Sequence, residues 1–186
     1  MRETKKSRRL AALFTKVTAG DINAKCTLAM LYATGENGLP VNLVKAFKLY
    51  KSAANAGLPE AQYELGIMYL RGEGTVRDKL KGLRWVKRAA KGASAVAVDA
   101  QDLLGAIYEF GAFGFRLNNR KAANWYKIST ANGNSKARYS LGLMYLHGKG
   151  VARNRSRGLR LIRTAARARY IDAKKFLKGN VNQKKV

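Results

Sequence analysis

Small and apolar residues recur along this chain with a spacing that predicts helices. Four segments each contain an alanine, a leucine four residues later and a tyrosine eight residues later, with polar residues between them. Offsets of zero, four and eight lie on one face of an α-helix. The pattern therefore predicts four first helices, at about residues 22–33, 59–70, 98–110 and 136–147.

A second helix is predicted after the glycine-containing turn that follows each first helix. Asn and Asp side chains accept hydrogen bonds from the free backbone amides of a helix's first turn. One such residue precedes each second helix: Asn42, Asp78, Asn118 and Asn154. Two adjacent apolar positions further along are expected to pack against the first helices: Leu49 and Tyr50, Trp85 and Val86, Trp125 and Tyr126, and Leu161 and Ile162.

The residue after the repeat leucine is small in every copy. It is Ala29 in the first repeat and Gly66, Gly105 and Gly142 in the others. A glycine in the middle of a helix costs about 1 kcal/mol relative to alanine. Its return at one position predicts close approach by a neighbouring helix.

The copies form an array with a sustained period, which predicts a solenoid. The repeat alanines are Ala24, Ala61, Ala100 and Ala137, and Ala173 begins a truncated copy. The linker between the second and third repeats is three residues longer and is expected to alter their stacking. The predicted organisation is a basic N-terminus with a capping helix at 1–20, repeats at about 21–57, 58–96, 97–133 and 134–170, a partial repeat at 171–178, and a flexible basic tail at 179–186.

Single helices are predicted to cover both ends of the array. An array needs such caps because its terminal repeats would otherwise expose the faces that neighbours bury. At the C-terminal end, Phe176 and Leu177 are expected to dock the final helix. At the N-terminal end, one helical face carries the predicted buried residues Leu10, Leu13, Phe14 and Val17.

The order of the repeated residues resembles the Sel1-like repeat family, a relative of the tetratricopeptide repeats. The shared order is Ala, Leu-Gly, Tyr, Gly-x-Gly-Val, Asp or Asn, Lys-Ala, Trp-Tyr and Ala-Ala, over about residues 20–177. The resemblance implies an all-α protein, a right-handed α/α superhelical solenoid of about four helix-turn-helix repeats whose first helices line the concave face. It also implies a non-catalytic adaptor for protein complexes.

The chain is strongly basic, and its charge is unevenly distributed. It has 37 Lys and Arg against 11 Asp and Glu, a net charge of +26, which attracts polyanions, acidic proteins or anionic lipid surfaces at low salt. In the second helices, three columns on one face are basic at every position except Asn124. We call this set the basic wall: Lys45, Lys48, Lys51, Lys81, Arg84, Lys87, Lys121, Lys127, Arg157, Arg160 and Arg163.

The first helices are near neutral or mildly acidic, and they carry the candidate site for a protein partner. Residues just after the repeat alanines vary between repeats and are expected to face the groove. Leu103 and Tyr139 could instead belong to the core, because apolar residues at helical spacing are usually packed. The candidates are Tyr63, Glu64, Asp102, Leu103, Arg138, Tyr139 and Ser140.

No group of residues points to catalysis, a metal or a cofactor. His147 is the only histidine and Cys26 the only cysteine, whereas a zinc site normally needs three or four clustered ligands. An acidic set in the second and third repeats has no histidine, nucleophile or metal motif beside it. Its members are Glu60, Glu64, Asp99, Asp102 and Glu109. We therefore expect no enzyme activity and no cofactor.

The apolar stretches are short. None approaches the roughly 18 residues of a membrane span, and residues 10–14 are too few for the apolar part of a secretory signal. A single cysteine cannot form an internal disulfide, which is typical of a reducing compartment. These features predict a cytoplasmic protein without a transmembrane segment, and they leave the oligomeric state open.

Two functions are compatible with this sequence. The favoured one is an interaction scaffold that binds a protein partner in the concave groove, with a basic exterior suited to an acidic partner. The alternative is sequence-nonspecific nucleic-acid binding by the basic wall and the C-terminal tail. In that case log K would fall by roughly 0.9 per phosphate neutralised on duplex DNA. Sequence preference should be weak, because the wall lacks interleaved aromatic residues for stacking on bases.

Overall fold

The computed structural model describes residues 5–182, with side chains for residues 7–179. Within this part of the chain every regular element is helical, which confirms the predicted all-α fold of helix-turn-helix repeats. The helices are α1 (Lys5–Thr18), α2 (Ile22–Thr34), α3 (Leu43–Asn55), α4 (Pro59–Arg71), α5 (Lys79–Ala89), α6 (Ala95–Phe110), α7 (Asn119–Ala131), α8 (Ser135–His147), α9 (Arg155–Arg167) and α10 (Ile171–Asn182). We call α2, α4, α6 and α8 the A helices, and α3, α5, α7 and α9 the B helices.

The predicted caps fix the start of every B helix. The side chains of Asn42, Asp78, Asn118 and Asn154 each accept a hydrogen bond from the backbone N–H three residues later, at 2.8–2.9 Å. At Asp78, the hydrogen bond from the backbone N–H of Lys81 is the main reason that the pKa of the carboxyl lies below its ordinary value. The B helices therefore begin where local hydrogen bonding places them.

The A helix of the third repeat begins earlier than predicted. Helix α6 starts at Ala95, and the hydroxyl oxygen of the capping Ser94 accepts a hydrogen bond from the N–H of Ala97 at 3.2 Å. This helix has 16 residues, whereas α2, α4 and α8 have 13 each. The three extra residues between the second and third repeats thus extend α6 by about one turn rather than lengthening a linker.

The chain divides into two compact units, unit 1 ending at Lys91 and unit 2 beginning at Gly92. Each unit contains two repeats, with the repeat alanines, leucines and tyrosines buried in its core. In the B helices, the second member of each adjacent apolar pair is at most 5% exposed. Its partner, which is Leu49, Trp85, Trp125 or Leu161, is only half-buried.

Close approach at the glycine column is confirmed. A Cβ on Gly66 would lie 2.7 Å from Cγ2 of Val86, and one on Gly142 would lie 2.7 Å from Cγ1 of Ile162. A Cβ on Gly105 would overlap the ring of Tyr126. In each case the neighbour is the B helix of the same repeat.

The two repeats within each unit differ in the same way. The first repeat has a longer turn that contains a 3-10 element, Glu36–Gly38 in unit 1 and Ala112–Gly114 in unit 2. The second repeat has a shorter turn whose glycine packs directly on the first repeat. Gly74 meets the start of α3 in this way, and Gly150 meets the start of α7. The repeats therefore alternate in type along the chain.

Helix α1 packs on the N-terminal end of unit 1. Leu13 and Val17 contact the core, as predicted. Phe14, which was expected to be buried with them, is 37% exposed. The reason is that α1 packs mainly on α2, and a helix with one neighbour buries a narrower face than a helix between two. Residues 1–4, the start of the predicted basic N-terminus, lie outside the described residues.

Helix α10 packs on the C-terminal end of unit 2. Phe176 and Leu177 pack against Ile162 and Ala165 of α9, as predicted. The helix continues to Asn182, so residues 179–182 are helical, although they were predicted to belong to a flexible tail. The rest of that tail, residues 183–186, lies outside the described residues.

Candidate functional site

The candidate partner-binding residues lie on the A helices just after the repeat alanines, and we call them the A-helix row. Every member except Asp102 is half-buried, whereas the neighbouring packing positions are fully buried. Half-burial leaves part of each side chain open while packing fixes its direction. The row comprises Tyr63 and Glu64 in unit 1, and Asp102, Leu103, Arg138, Tyr139 and Ser140 in unit 2.

Two charged members of the row already have contacts within unit 2. Oδ2 of Asp102 accepts a hydrogen bond from Nζ of Lys136 at 2.8 Å, and the Asp102 side chain is only 10% exposed. Nη2 of Arg138 donates to the carbonyl oxygen of Thr130 at 3.3 Å. A partner would therefore reach the Asp102 carboxylate only by displacing Lys136.

Ser140 lies near a buried hydrogen bond in the core of unit 2. The buried Tyr126 donates its hydroxyl proton to Oε2 of Glu109 at 2.8 Å. Burial, and then the Glu109 carboxylate, raise the pKa of Tyr126 well above its ordinary value, although Ser140 opposes the shift. Tyr126 therefore stays a neutral donor that orients Glu109.

Tyr139 is part of an aromatic group at the C-terminal end of unit 2. Its ring centroid lies 5.5 Å from that of Tyr170 and 6.2 Å from that of Phe176, and it packs on the core of α9 and α10. Burial raises the pKa of Tyr139, with a smaller contribution from Asp172. Burial and a hydrogen bond to Asp172 raise the pKa of Tyr170 to about 12. One side of Tyr139 is thus packed, and the other remains open to a partner.

In unit 1, the row member Glu64 lies near a second carboxylate, Glu60, and the thiol of Cys26. Burial, and then the carboxylates of Glu60 and Glu64, raise the pKa of Cys26 to about 11, so the thiol is protonated and unreactive at neutral pH. Burial also raises the pKa of Glu64, although Arg71 opposes the shift. The fold therefore holds Glu64 where its ionised form is partly desolvated.

We expect Glu64→Gln to stabilise the protein slightly at pH 7. Because the folded-state pKa of Glu64 is raised, the stability that this group contributes is complete below the unfolded pKa and is lost as pH rises through the folded pKa. The gain should be below about 1 kcal/mol, since the side chain is only half-buried, and it should vanish near pH 4. Thermal unfolding at both pH values tests this, with the exposed Glu36→Gln as the control. Destabilisation at pH 7 would instead mean that Glu64 forms a net stabilising pair with Arg71.

The basic wall lies on the B helices, and all eleven of its residues are exposed. Its first column is not free of contacts, because each member stacks on the tyrosine of its own repeat. The cation-to-ring distances are 5.2 Å for Lys45 and Tyr32, 5.9 Å for Lys81 and Tyr69, 5.4 Å for Lys121 and Tyr108, and 4.5 Å for Arg157 and Tyr145. Such contacts contribute about 0.5–1 kcal/mol each at exposed sites.

Sequence reasoning missed this pairing, although a signal for it exists. The basic residue follows the tyrosine by 12 or 13 residues in all four repeats. The first column of the wall therefore has a packing role within each repeat.

The described residues contain no group of three or more His, Cys, Asp and Glu side chains that could hold a metal ion. His147 is exposed at the end of α8. In the same part of the chain, no helix is both long and apolar enough to cross a bilayer.

The family model described as Sel1 repeat matches four segments of the chain, residues 23–58, 59–94, 98–134 and 135–170. Chitin synthase regulatory factor 3 of Schizosaccharomyces pombe is 31% identical over 123 residues, which is 65% of this chain and 13% of that protein. DAP3-binding cell death enhancer 1 of Rattus norvegicus is 30% identical over 162 residues, covering 68% of this chain and 31% of that protein. The chain therefore spans less than a third of the length of these curated relatives.

Solved structures with a similar fold carry the same repeat. A Sel1 repeat protein from Oxalobacter formigenes superposes with a TM-score of 0.79 at 26% identity, covering 91% of this chain and 68% of that one. A protective antigen of uropathogenic Escherichia coli with an SLR fold gives a TM-score of 0.80 at 30% identity. That alignment covers 88% of this chain and 34% of the antigen.

Proposed function

The chain belongs to the Sel1 repeat family, and from that premise we propose that it is a non-catalytic scaffold that binds a protein partner through the A-helix row. Sel1 repeat proteins generally mediate protein–protein interactions. One relative is named for binding and another for regulation, and both names favour control of a partner over catalysis. The single free cysteine, Cys26, suits a cytoplasmic location for this scaffold.

The observation that carries this proposal is the half-burial of the row beside fully buried packing positions. Side chains that the fold holds in fixed directions and covers only in part can meet a partner at a low entropic cost. The raised pKa of Glu64 supports the proposal in unit 1. A desolvated carboxylate lowers stability at neutral pH, and such a cost is common where a residue serves binding.

The two units offer different chemistry to a partner. Unit 1 presents the Glu64 carboxylate, which suits a cationic or hydrogen-bonding group. Unit 2 presents the open side of Tyr139 and the hydroxyl of Ser140, which suit apolar and polar contacts of the kind found at interface centres. The net charge of +26 adds long-range attraction for an acidic partner.

A capture experiment with the full chain tests the proposal. The immobilised protein is incubated at about 150 mM salt with untreated and with nuclease-treated cell extract, and bound proteins are identified by mass spectrometry. We expect one set of proteins that Glu64→Lys and Tyr139→Ala both lose and that Glu36→Lys, an equal charge change at an exposed residue, retains. Asp102 is left intact because its reversal would break the ion pair with Lys136. Loss of every captured protein on nuclease treatment would contradict the proposal.

Nucleic-acid binding by the basic wall finds no support among the relatives. None of those described above is named for it.

A further inference from the structure

Helix α9 carries a groove bordered by arginine side chains. The groove has a volume of about 590 Å³, and the polar residues Asn154, Ser156 and Thr164 complete its lining. One of its arginines, Arg157, stacks on Tyr145 at 4.5 Å. We call the other three, Arg160, Arg163 and Arg167, the arginine stripe, and all three are exposed. We propose that the arginine stripe binds the phosphate backbone of nucleic acid.

The spacing of the stripe matches a row of phosphates. Its three residues lie within about 60° of the helix circumference, at 100° per residue. They extend over about 10 Å of helix, at 1.5 Å per residue. One strand of B-DNA carries a phosphate for every 3.4 Å along the axis. Because the strand also winds around the axis, neighbouring phosphates lie further apart than this rise, and the stripe reaches about two to three of them.

The donor chemistry also favours phosphate. A guanidinium group is planar and offers paired N–H donors that match phosphate oxygens, whereas a lysine acts as a point charge. The sequence contains no Asp or Glu from residue 110 to residue 171. The arginine stripe therefore has no carboxylate on the neighbouring B helix or turns to compete with a bound phosphate.

Helix α5 and the turn after it provide an internal comparison, because this segment holds basic residues at the same three repeat positions, Arg84 and Lys87 in the helix and Lys91 just beyond it. Around them are features that oppose a bound polyanion. Asp78 caps that helix, where α9 has Asn154, and Glu73 lies in the preceding turn, where the last repeat has Lys149. Only α9 combines three arginines with a neutral cap and a basic turn.

The surroundings of the stripe separate nucleic acid from a membrane surface. Insertion into a bilayer interface requires apolar side chains beside the basic ones. Single apolar residues are exposed elsewhere, Val44 of α3, Leu80 of α5, Ile128 of α7 and Ile171 at the start of α10, but α9 itself has no large exposed apolar residue. Its open face also carries no aromatic ring for stacking on bases. The contact is therefore with the backbone, and sequence preference is weak.

The test measures binding of a fluorescein-labelled 20-base-pair duplex to the full chain by fluorescence anisotropy, from 50 to 300 mM NaCl. Reversal of the stripe, R160E/R163E/R167E, is expected to weaken binding by about 100-fold at 100 mM NaCl. It should also reduce the salt slope by about 2 to 3, the release expected for two to three phosphates. The matched control R84E/K87E/K91E reverses the same charge on α5 and the turn after it, and it should cost less than about 10-fold. Circular dichroism checks that each variant is folded. If R160E/R163E/R167E unfolds, the milder R160Q/R163Q/R167Q takes its place.

Several results would overturn the proposal. These are no binding of the duplex at 50 mM NaCl, an equal loss in the α5 control, or an unchanged salt slope in the stripe variant. Polyglutamate that competes as well as unlabelled duplex would show recognition of carboxylates instead. A membrane role would be shown by vesicles with about 30% phosphatidylserine that bind the wild type tightly. The stripe reversal would then abolish vesicle binding and leave duplex binding unchanged.

Discussion

Replacing Tyr126 with alanine is expected to lower the free energy of unfolding of unit 2 by about 3–5 kcal/mol, the usual cost of truncating a large buried aromatic residue. Tyr126 is among the largest fully buried side chains. Its removal leaves a cavity between α6 and α7, and the Glu109 carboxylate loses its donor. Tyr126→Phe keeps the ring and should cost about 1.5 kcal/mol, for the lost hydrogen bond to a charged group.

Urea unfolding followed by tryptophan fluorescence measures these changes. The chain has two tryptophans, Trp85 in unit 1 and Trp125 in unit 2, so a Trp85→Phe background lets Trp125 report on unit 2 alone. Ile128→Ala on the same helix is the control, because Ile128 is 45% exposed. A loss below about 1 kcal/mol for Tyr126→Ala would contradict the packing described for unit 2.

Gly105 provides a sharper test of the same contact. A Cβ on Gly105 would overlap the Tyr126 ring, so Gly105→Ala alone should cost about 1–3 kcal/mol through overpacking. In a Tyr126→Ala background the added methyl group enters the cavity, and alanine is the better helix former. We therefore expect the second substitution to be neutral or stabilising there. Additive effects in this double-mutant cycle would mean that the two residues are not in contact.

Replacing Gly150 with alanine is expected to cost about 3 kcal/mol. Gly150 has φ of +69°, and this conformation costs an L-residue about 1–2 kcal/mol. A Cβ there would also lie 2.7 Å from the backbone nitrogen of Arg120 and would overlap Asn119, which adds a packing cost. Backbone atoms at the start of a helix cannot yield as a flexible side chain does, so α8 and α9 would have to shift relative to α7.

Gly133→Ala, in the same unit, separates the backbone cost of a positive φ from the packing cost of an added Cβ. Gly133 has φ of +94°, and a Cβ there would meet nothing within 4 Å. Its replacement should show only the backbone cost, about 1–2 kcal/mol. Urea unfolding compares the two variants. Equal losses in the free energy of unfolding would mean that the turn of the last repeat does not pack on α7.

Periodicity predicted a binding row just after the repeat alanines, and the structure leaves six of its seven members half-buried. Asp102 shows what periodicity could not predict, because its carboxylate pairs with Lys136, 34 residues away. For Tyr139 a core position was an open alternative, and its ring packs on Tyr170, just before the terminal helix, and on Phe176 within it. Their role in binding a partner remains the prediction that the capture experiment tests.

The repeat, its two helices and the caps of the B helices follow from the sequence alone, because they depend on hydrogen bonds and apolar spacing within a few residues. Tertiary packing selects which of two adjacent apolar residues in each B helix is buried, since neighbouring positions differ by 100° in direction. It also decided that the first column of the basic wall stacks on tyrosines, whereas the arginine stripe of α9 stays open. Those choices depend on distances between helices, which periodicity does not encode.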